Sequence, residues 1–137
     1  MDINSKIFEL YDYLNEHTEG GKASVHAITF VDQEWEKMPE KKMQDDDRTL
    51  LALEMIGGAL DNNDRTLAEK WADIYLLNED YKPTICFQKG RIAFHFKEYQ
   101  TAFNYFKEAQ DLSNNRELKG QDKFLDLLKN PNKYFSN

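Results

Sequence analysis

Apolar residues recur along this chain mainly at the spacing of an α-helix. Ile7, Leu10, Tyr11 and Leu14 follow a period of about 3.6 residues, which predicts a helix over residues 4–17. Further stripes of the same kind predict helices over residues 48–60, 64–77, 83–96, 99–112 and 119–129. Because short polar stretches separate these stripes, the pattern predicts an all-α fold of antiparallel helix pairs.

Residues 24–38 admit two interpretations. One face of a helix would carry Ala27, Ile28, Val31 and Trp35. The run over residues 25–31 is rich in β-branched and aromatic residues and would also suit a short strand. A helix is the preferred prediction, because no second strand pattern exists for this run to pair with.

Small and aromatic residues alternate between residues 83 and 115. The small ones are Gly90, Ala93, Ala102 and Ala109, and the aromatic ones are Phe94, Tyr99, Tyr105 and Phe106. Two helices that cross closely need small residues where the backbones approach and large ones beside them. The segment therefore predicts a tight helical hairpin with Ala102 at the crossing.

The spacing of Gly90, Ala102, Phe106 and Ala109 resembles one repeat of the tetratricopeptide family. A shift by the family's period of 34 residues places Ala68 on Ala102, which marks a second, weaker copy. The resemblance implies helix pairs stacked as a short superhelix in a single domain over residues 1–137. Its parts would be a divergent N-terminal pair at 1–44, a weak repeat at 48–82, the best repeat at 83–115 and a closing helix at 116–130. A generic helical bundle is the alternative.

In the family that the chain resembles, the first helix of each repeat lines a groove that binds a segment of a partner. The matching positions here are Leu50, Leu53, Gly57 and Asp61 in the weaker copy and Thr84, Phe87, Arg91, Phe94 and His95 in the better one. The resemblance thus implies a non-enzymatic adaptor that binds a peptide or a partner helix. Alternatively, these apolar side chains pack against the N-terminal or C-terminal helix.

The charge is unevenly distributed. Residues 1–47 hold 12 acidic and 5 basic residues, a balance of −7 that equals the net charge of the whole chain. Nucleic acid is not an expected partner, because its binding needs a positive surface. The acidic third would favour a basic protein, with Asp45, Asp46 and Asp47 as a partner surface. This charge suggests a second hypothesis, an immunity-type inhibitor that neutralises a basic toxin such as a nuclease. The simpler explanation of the charge is that it keeps the protein soluble.

Residues that could do chemistry are scattered. The three histidines match no metal or catalytic motif, and the single cysteine, Cys86, is expected to be a small buried core residue. One of Asp45, Asp46 and Asp47 is expected to cap the third helix. No enzyme activity, metal or cofactor is predicted. With one cysteine, no signal peptide and no long apolar segment, a cytoplasmic protein without membrane contact is expected.

Overall fold

The computed structural model describes residues 2–135 and confirms the all-α class. The helices are α1 (Ile3–Glu16), α2 (Val25–Lys37), α3 (Arg48–Asp61), α4 (Arg65–Tyr75), α5 (Lys82–His95), α6 (Tyr99–Leu112), α7 (Asp122–Lys129) and α8 (Asn132–Phe135), with a 3₁₀ helix at Glu40–Gln44. The contacts divide the chain into two compact units, Met1–Leu77 and Asn78–Asn137. None of the helices among the described residues is long and apolar enough to cross a membrane.

A small β-hairpin that the pattern did not predict joins α1 to α2. Its strands are β1 (Thr18–Glu19) and β2 (Lys22–Ala23), which pair antiparallel. Gly20 and Gly21 form the turn with φ of +62° and +81°, a conformation that glycine adopts without strain. Two residue pairs are too few to show as alternation in a sequence. Residues 25–37, for which a helix or a strand was considered, form helix α2, which confirms the preferred prediction. The Ser24 hydroxyl stabilises the start of α2 by accepting from the Ala27 N–H at 3.0 Å.

The predicted cap of the third helix is wrong. Asp47 precedes α3, but its carboxylate makes no capping hydrogen bond. It accepts instead from the side-chain amide of Asn4, at the start of α1. The carboxylate of Asp45 accepts from the N–H of Asp47 at 2.8 Å, so the acidic residues organise the loop before α3.

In the first unit, α1 and α3 lie side by side and run parallel. Their starts are joined through Asn4 and Asp47. At the other end, the Asn62 side-chain amide donates to the carbonyl of Ala23 at 3.0 Å, and Ala23 pairs with Thr18 just beyond α1. Two links of this kind, one at each end, fix the direction and register of the two helices.

A second layer of the first unit is formed by α2 and α4. The Trp35 and Trp71 rings, both fully buried, lie 5.1 Å apart between these helices. Asp32 on α2 accepts from the Trp71 Nε1–H at 2.9 Å and from Lys70 at 2.8 Å. Because α2 also contacts α1 and α3, and α4 contacts α3, this layer covers one side of α1 and α3, and their exposed residues remain outside the contact.

The second unit is built around the α5–α6 pair. A Cβ on Gly90 would lie 2.6 Å from the ring of Phe106, so only glycine allows this approach. Phe106 and Ala102 are fully buried in one cluster with residues of α7. The predicted last helix begins at Asp122 rather than at residue 119, and α8 was not predicted.

The two central helix pairs share their local geometry at a distance of 34 residues. Helix α3 begins at Arg48 and α5 at Lys82, and each is 14 residues long. Both pairs turn through a left-handed residue, Asn63 with φ of 56° and Lys97 with φ of 63°. The closing hydrogen bonds also correspond, from Asp64 N–H to Ala59 O at 2.8 Å and from Glu98 N–H to Ala93 O at 2.9 Å.

Candidate functional site

Three large apolar side chains of the first unit are exposed on α1 and α3. Phe8 is 40% exposed, Leu50 39% and Leu53 36%. Their sequence neighbours Ile7 and Leu51 are buried in the core. Each helix therefore uses one stripe for the core and leaves apolar side chains on a second stripe that nothing in the described residues covers completely.

Helix geometry places these side chains on one surface. Leu50, Leu53, Gly57 and Asp61 follow the three- and four-residue steps of a single helix face, and Phe8 and Asp12 do the same on α1. Both faces are largely exposed, whereas the residues that α1 and α3 bury in the core lie on other faces of these helices. We call this surface the outer face and define it by Phe8, Asp12, Leu50, Leu53, Glu54, Gly57 and Asp61.

The outer face is acidic as well as apolar. The first unit contains 17 acidic and 8 basic residues, a balance of −9. No ion pair found among residues 2–135 involves Asp12, Glu54 or Asp61. The face thus combines exposed apolar groups with carboxylates that have no cationic partner in the described part of the chain.

The nearby cations of the first unit are engaged elsewhere. Lys6 lies within ion-pair distance of Glu9 and Glu34. Lys70 pairs with Asp32 and Glu36 on α2. Burial lowers the pKa of its ammonium group, but the two carboxylates together outweigh burial and raise that pKa. Both lysines therefore contact carboxylates of α2 rather than those of the outer face.

The acidic triplet lies at one end of the outer face. Asp45, Asp46 and Asp47 immediately precede α3, and the contact between Asp47 and Asn4 places them beside the start of α1. Asp46 is exposed, whereas Asp45 and Asp47 are half-buried. The structure therefore brings the triplet close to Leu50, in the first turn of α3.

The predicted residues of the better copy share one face of α5, but that face is partly covered. Phe87 and Phe94 are half-buried, and their rings lie 5.8 Å and 5.1 Å from the ring of Phe124 on α7. Phe94 also lies 6.0 Å from Tyr134 on α8. Arg91 is half-buried and His95 is exposed on the same face. The arrangement matches the alternative in which these aromatics pack against the C-terminal helices.

Asp126 holds α8 in place over this face. Its carboxylate accepts hydrogen bonds from the Tyr134 hydroxyl, from Lys133 at 2.9 Å and from Asn130 at 2.9 Å. These contacts, that of Tyr134 first among them, lower the pKa of Asp126 to about 2.

The position of α8 should consequently depend on pH. The pKa of Asp126 is lower in the folded protein than its ordinary 3.8, so this stabilisation is fully present above about pH 4 and is lost as pH falls through about 2. NMR should show the carboxyl carbon of Asp126 titrating near pH 2, with the ring signals of Tyr134 moving alongside. In Asp126→Asn the Tyr134 signals should no longer follow pH in this window. A midpoint near 3.8 would contradict the contact.

Two groups with catalytic potential, Cys86 and His17, are held by local packing contacts. Burial, the larger cause, and the adjacent Glu108 carboxylate raise the pKa of the Cys86 thiol. His17 stacks on Tyr13 with ring centroids 3.9 Å apart. Within residues 2–135 no three His, Cys, Asp or Glu side chains form a group that could hold a metal ion.

Three residues of the outer face, Phe8, Asp12 and Glu54, were missed by the sequence analysis. The N-terminal helix pair does not align at the 34-residue period, because the hairpin and the 3₁₀ helix lengthen it. A shift of 45 residues superimposes the start of α1 at Ile3 on that of α3 at Arg48 and Phe8 on Leu53. This second spacing was the signal that could have found Phe8 and Asp12, whereas Glu54 directly follows the predicted Leu53.

Comparison with family models, with curated proteins and with solved structures finds no match to this chain. Its function therefore has to be inferred from the geometry and charge of the outer face.

Proposed function

We propose that this chain is a non-enzymatic protein-binding module that holds a segment of a partner protein on the outer face. The observation that carries the proposal is that exposed Phe8, Leu50 and Leu53 share one surface with the carboxylates of Asp12 and Glu54, which form no ion pair within residues 2–135. Apolar anchors surrounded by polar groups are the usual composition of a protein interface.

A tetratricopeptide-like architecture is part of this proposal. It is supported by the 34-residue offset of α3 and α5, by their matching turns and by the close approach at Gly90. In such an architecture α1 and α3 are first helices of their pairs, which are the helices that face a partner. A cytoplasmic location fits the buried free thiol of Cys86.

The charge of the first unit favours a second candidate, an immunity-type inhibitor of a basic toxin. A balance of −9 would speed the encounter with a positively charged domain. The two candidates differ in what they bind: an adaptor binds a short segment, whereas an inhibitor needs the folded surface of its target. Binding of isolated peptides therefore favours the adaptor.

A peptide-display library provides the test. Selection of random peptides on the wild-type protein should enrich sequences whose binding is lost or weakened by roughly 1–2 kcal/mol in Leu53→Gln, because an apolar anchor is removed. Leu112→Gln is the matched control, since Leu112 is also an exposed helical leucine, at 53%, but lies on α6.

The same selection can disprove the proposal. Peptides that bind wild type, Leu53→Gln and Leu112→Gln with equal affinity would place the site elsewhere. Failure to enrich any peptide, together with capture of a folded basic toxin domain that depends on Asp45–Asp47, would favour the inhibitor.

A further inference from the structure

The outer face has the dimensions of one short helix. From Leu50 to Asp61 it extends over twelve residues of α3, and the eleven steps between them span about 16 Å at the rise of an α-helix. The parallel helix α1 runs beside α3, and neighbouring helices pack with their axes about 8–10 Å apart. The furrow between two such helices is a surface on which a third helix can lie lengthwise.

Apolar side chains border this furrow on both sides. Leu50 and Leu53 are one helical turn apart on α3, and Phe8 is exposed on α1. A partner helix with apolar residues at successive turns would meet both borders along one stripe.

The spacing of two carboxylates on α3 favours a partner segment that is helical over one that is extended. Glu54 and Asp61 are seven residues apart on one face of α3, which corresponds to about 10.5 Å. Two cations seven residues apart on a partner helix have the same separation. In an extended segment, side chains on one face lie about 6.8 Å or about 13.6 Å apart. Neither spacing equals the roughly 10.5 Å between Glu54 and Asp61, at about 1.5 Å per helical residue.

We propose that the occupant of the outer face is an amphipathic helix of a partner protein, with an apolar stripe over Phe8, Leu50 and Leu53 and with Lys or Arg flanking it toward Asp12, Glu54 and Asp61. This inference rests on the proposed function and specifies the chemistry of the partner. The apolar stripe supplies affinity, and the cations match carboxylates that have no cation of their own in the described residues.

Three synthetic peptides of about 16 residues test the inference by fluorescence anisotropy. The first places leucines on one helical face and lysines beside them, the second is a scrambled form of the same composition, and the third has the first pattern with glutamate in place of lysine. The first should bind at least about tenfold more tightly than the second, and the third should not bind, because like charges repel.

Matched variants locate the binding. The double substitution Glu54→Gln with Asp61→Asn should weaken the first peptide at least about fivefold, and Leu53→Gln should do the same. Asp111→Asn is the control, because Asp111 is an exposed carboxylate of α6 that pairs with Lys107 at 3.0 Å. It should leave the affinity unchanged.

The possible results distinguish failure of this inference from failure of the proposed function. Equal binding of the first two peptides, or binding of the glutamate peptide, overturns the basic amphipathic helix. If neither these peptides nor the display library yields binding that depends on Leu53, the outer face is not a binding site and both fail. If only the library yields Leu53-dependent peptides, the proposed function stands and the inference is wrong.

Discussion

Replacing Phe106 by Ala should lower the free energy of unfolding by about 3–5 kcal/mol. The ring is fully buried, stacks on Phe124 at a centroid distance of 4.5 Å and covers Gly90. Its loss leaves a cavity between α5, α6 and α7 that the surrounding aromatic rings can fill only in part. Urea denaturation followed by circular dichroism measures the change.

The outer face offers the matched control for this substitution. Phe8→Ala removes the same group from a site that is 40% exposed, so the expected loss is below about 1 kcal/mol. Similar losses for the two variants would contradict either the burial of Phe106 or the exposure of Phe8.

Replacing Arg48 by Met should cost about 2–4 kcal/mol, because it removes three hydrogen bonds of a buried charged group and the side-chain donor to the Leu77 carbonyl. The guanidinium is 7% exposed and donates to Ile74 O at 3.3 Å, to Asp45 O at 3.3 Å and to Leu77 O at 2.7 Å. It thus ties the loop before α3 to the last residues of α4 and the segment that follows them.

Tryptophan fluorescence during urea denaturation is a suitable measurement, since Trp35 and Trp71 both lie in the same unit as Arg48. Arg48→Lys should recover only part of the loss, because an ammonium group cannot reach three carbonyls in different directions. Arg116→Met, at an exposed position of the second unit, should change stability by less than about 0.5 kcal/mol. A free energy of unfolding for Arg48→Met equal to that of the wild type would contradict this role of Arg48.

Much of the fold follows from patterns within the sequence. The helical stripes and the position of Gly90 relative to Ala102 identified the helix pairs, because packing of an apolar face is what stabilises a helix in a protein. The preference for a helix at residues 24–38 was confirmed. Such patterns are periodic, so they can be recognised in the sequence without knowing which distant residues are in contact.

What the sequence could not show depends on contacts between distant residues. Two contacts set α1 beside α3, one between Asn4 and Asp47 and one between Asn62 and Ala23. No local sequence pattern predicts either of them. The same holds for α8, whose four residues are positioned by Asp126 and by aromatic packing.

The candidate site was predictable only in part. Leu53 and Gly57 were identified through the resemblance, and they lie on the outer face. Phe8 lay outside the 34-residue alignment, and whether Phe87 and Phe94 would be covered depended on the C-terminal helices. That these residues bind a partner stays a prediction.

Chemical-shift mapping tests the central claim, that the outer face binds a basic segment, most directly. The ¹⁵N-labelled protein would be titrated with the leucine–lysine peptide and its amide signals followed by NMR. The largest shifts should fall on α1 and α3 at Phe8, Leu50, Leu53 and Glu54, and they should diminish as salt is raised, because screening weakens the attraction. Shifts centred instead on Phe94 and His95 of α5, or unchanged amide signals throughout the titration, would contradict the account.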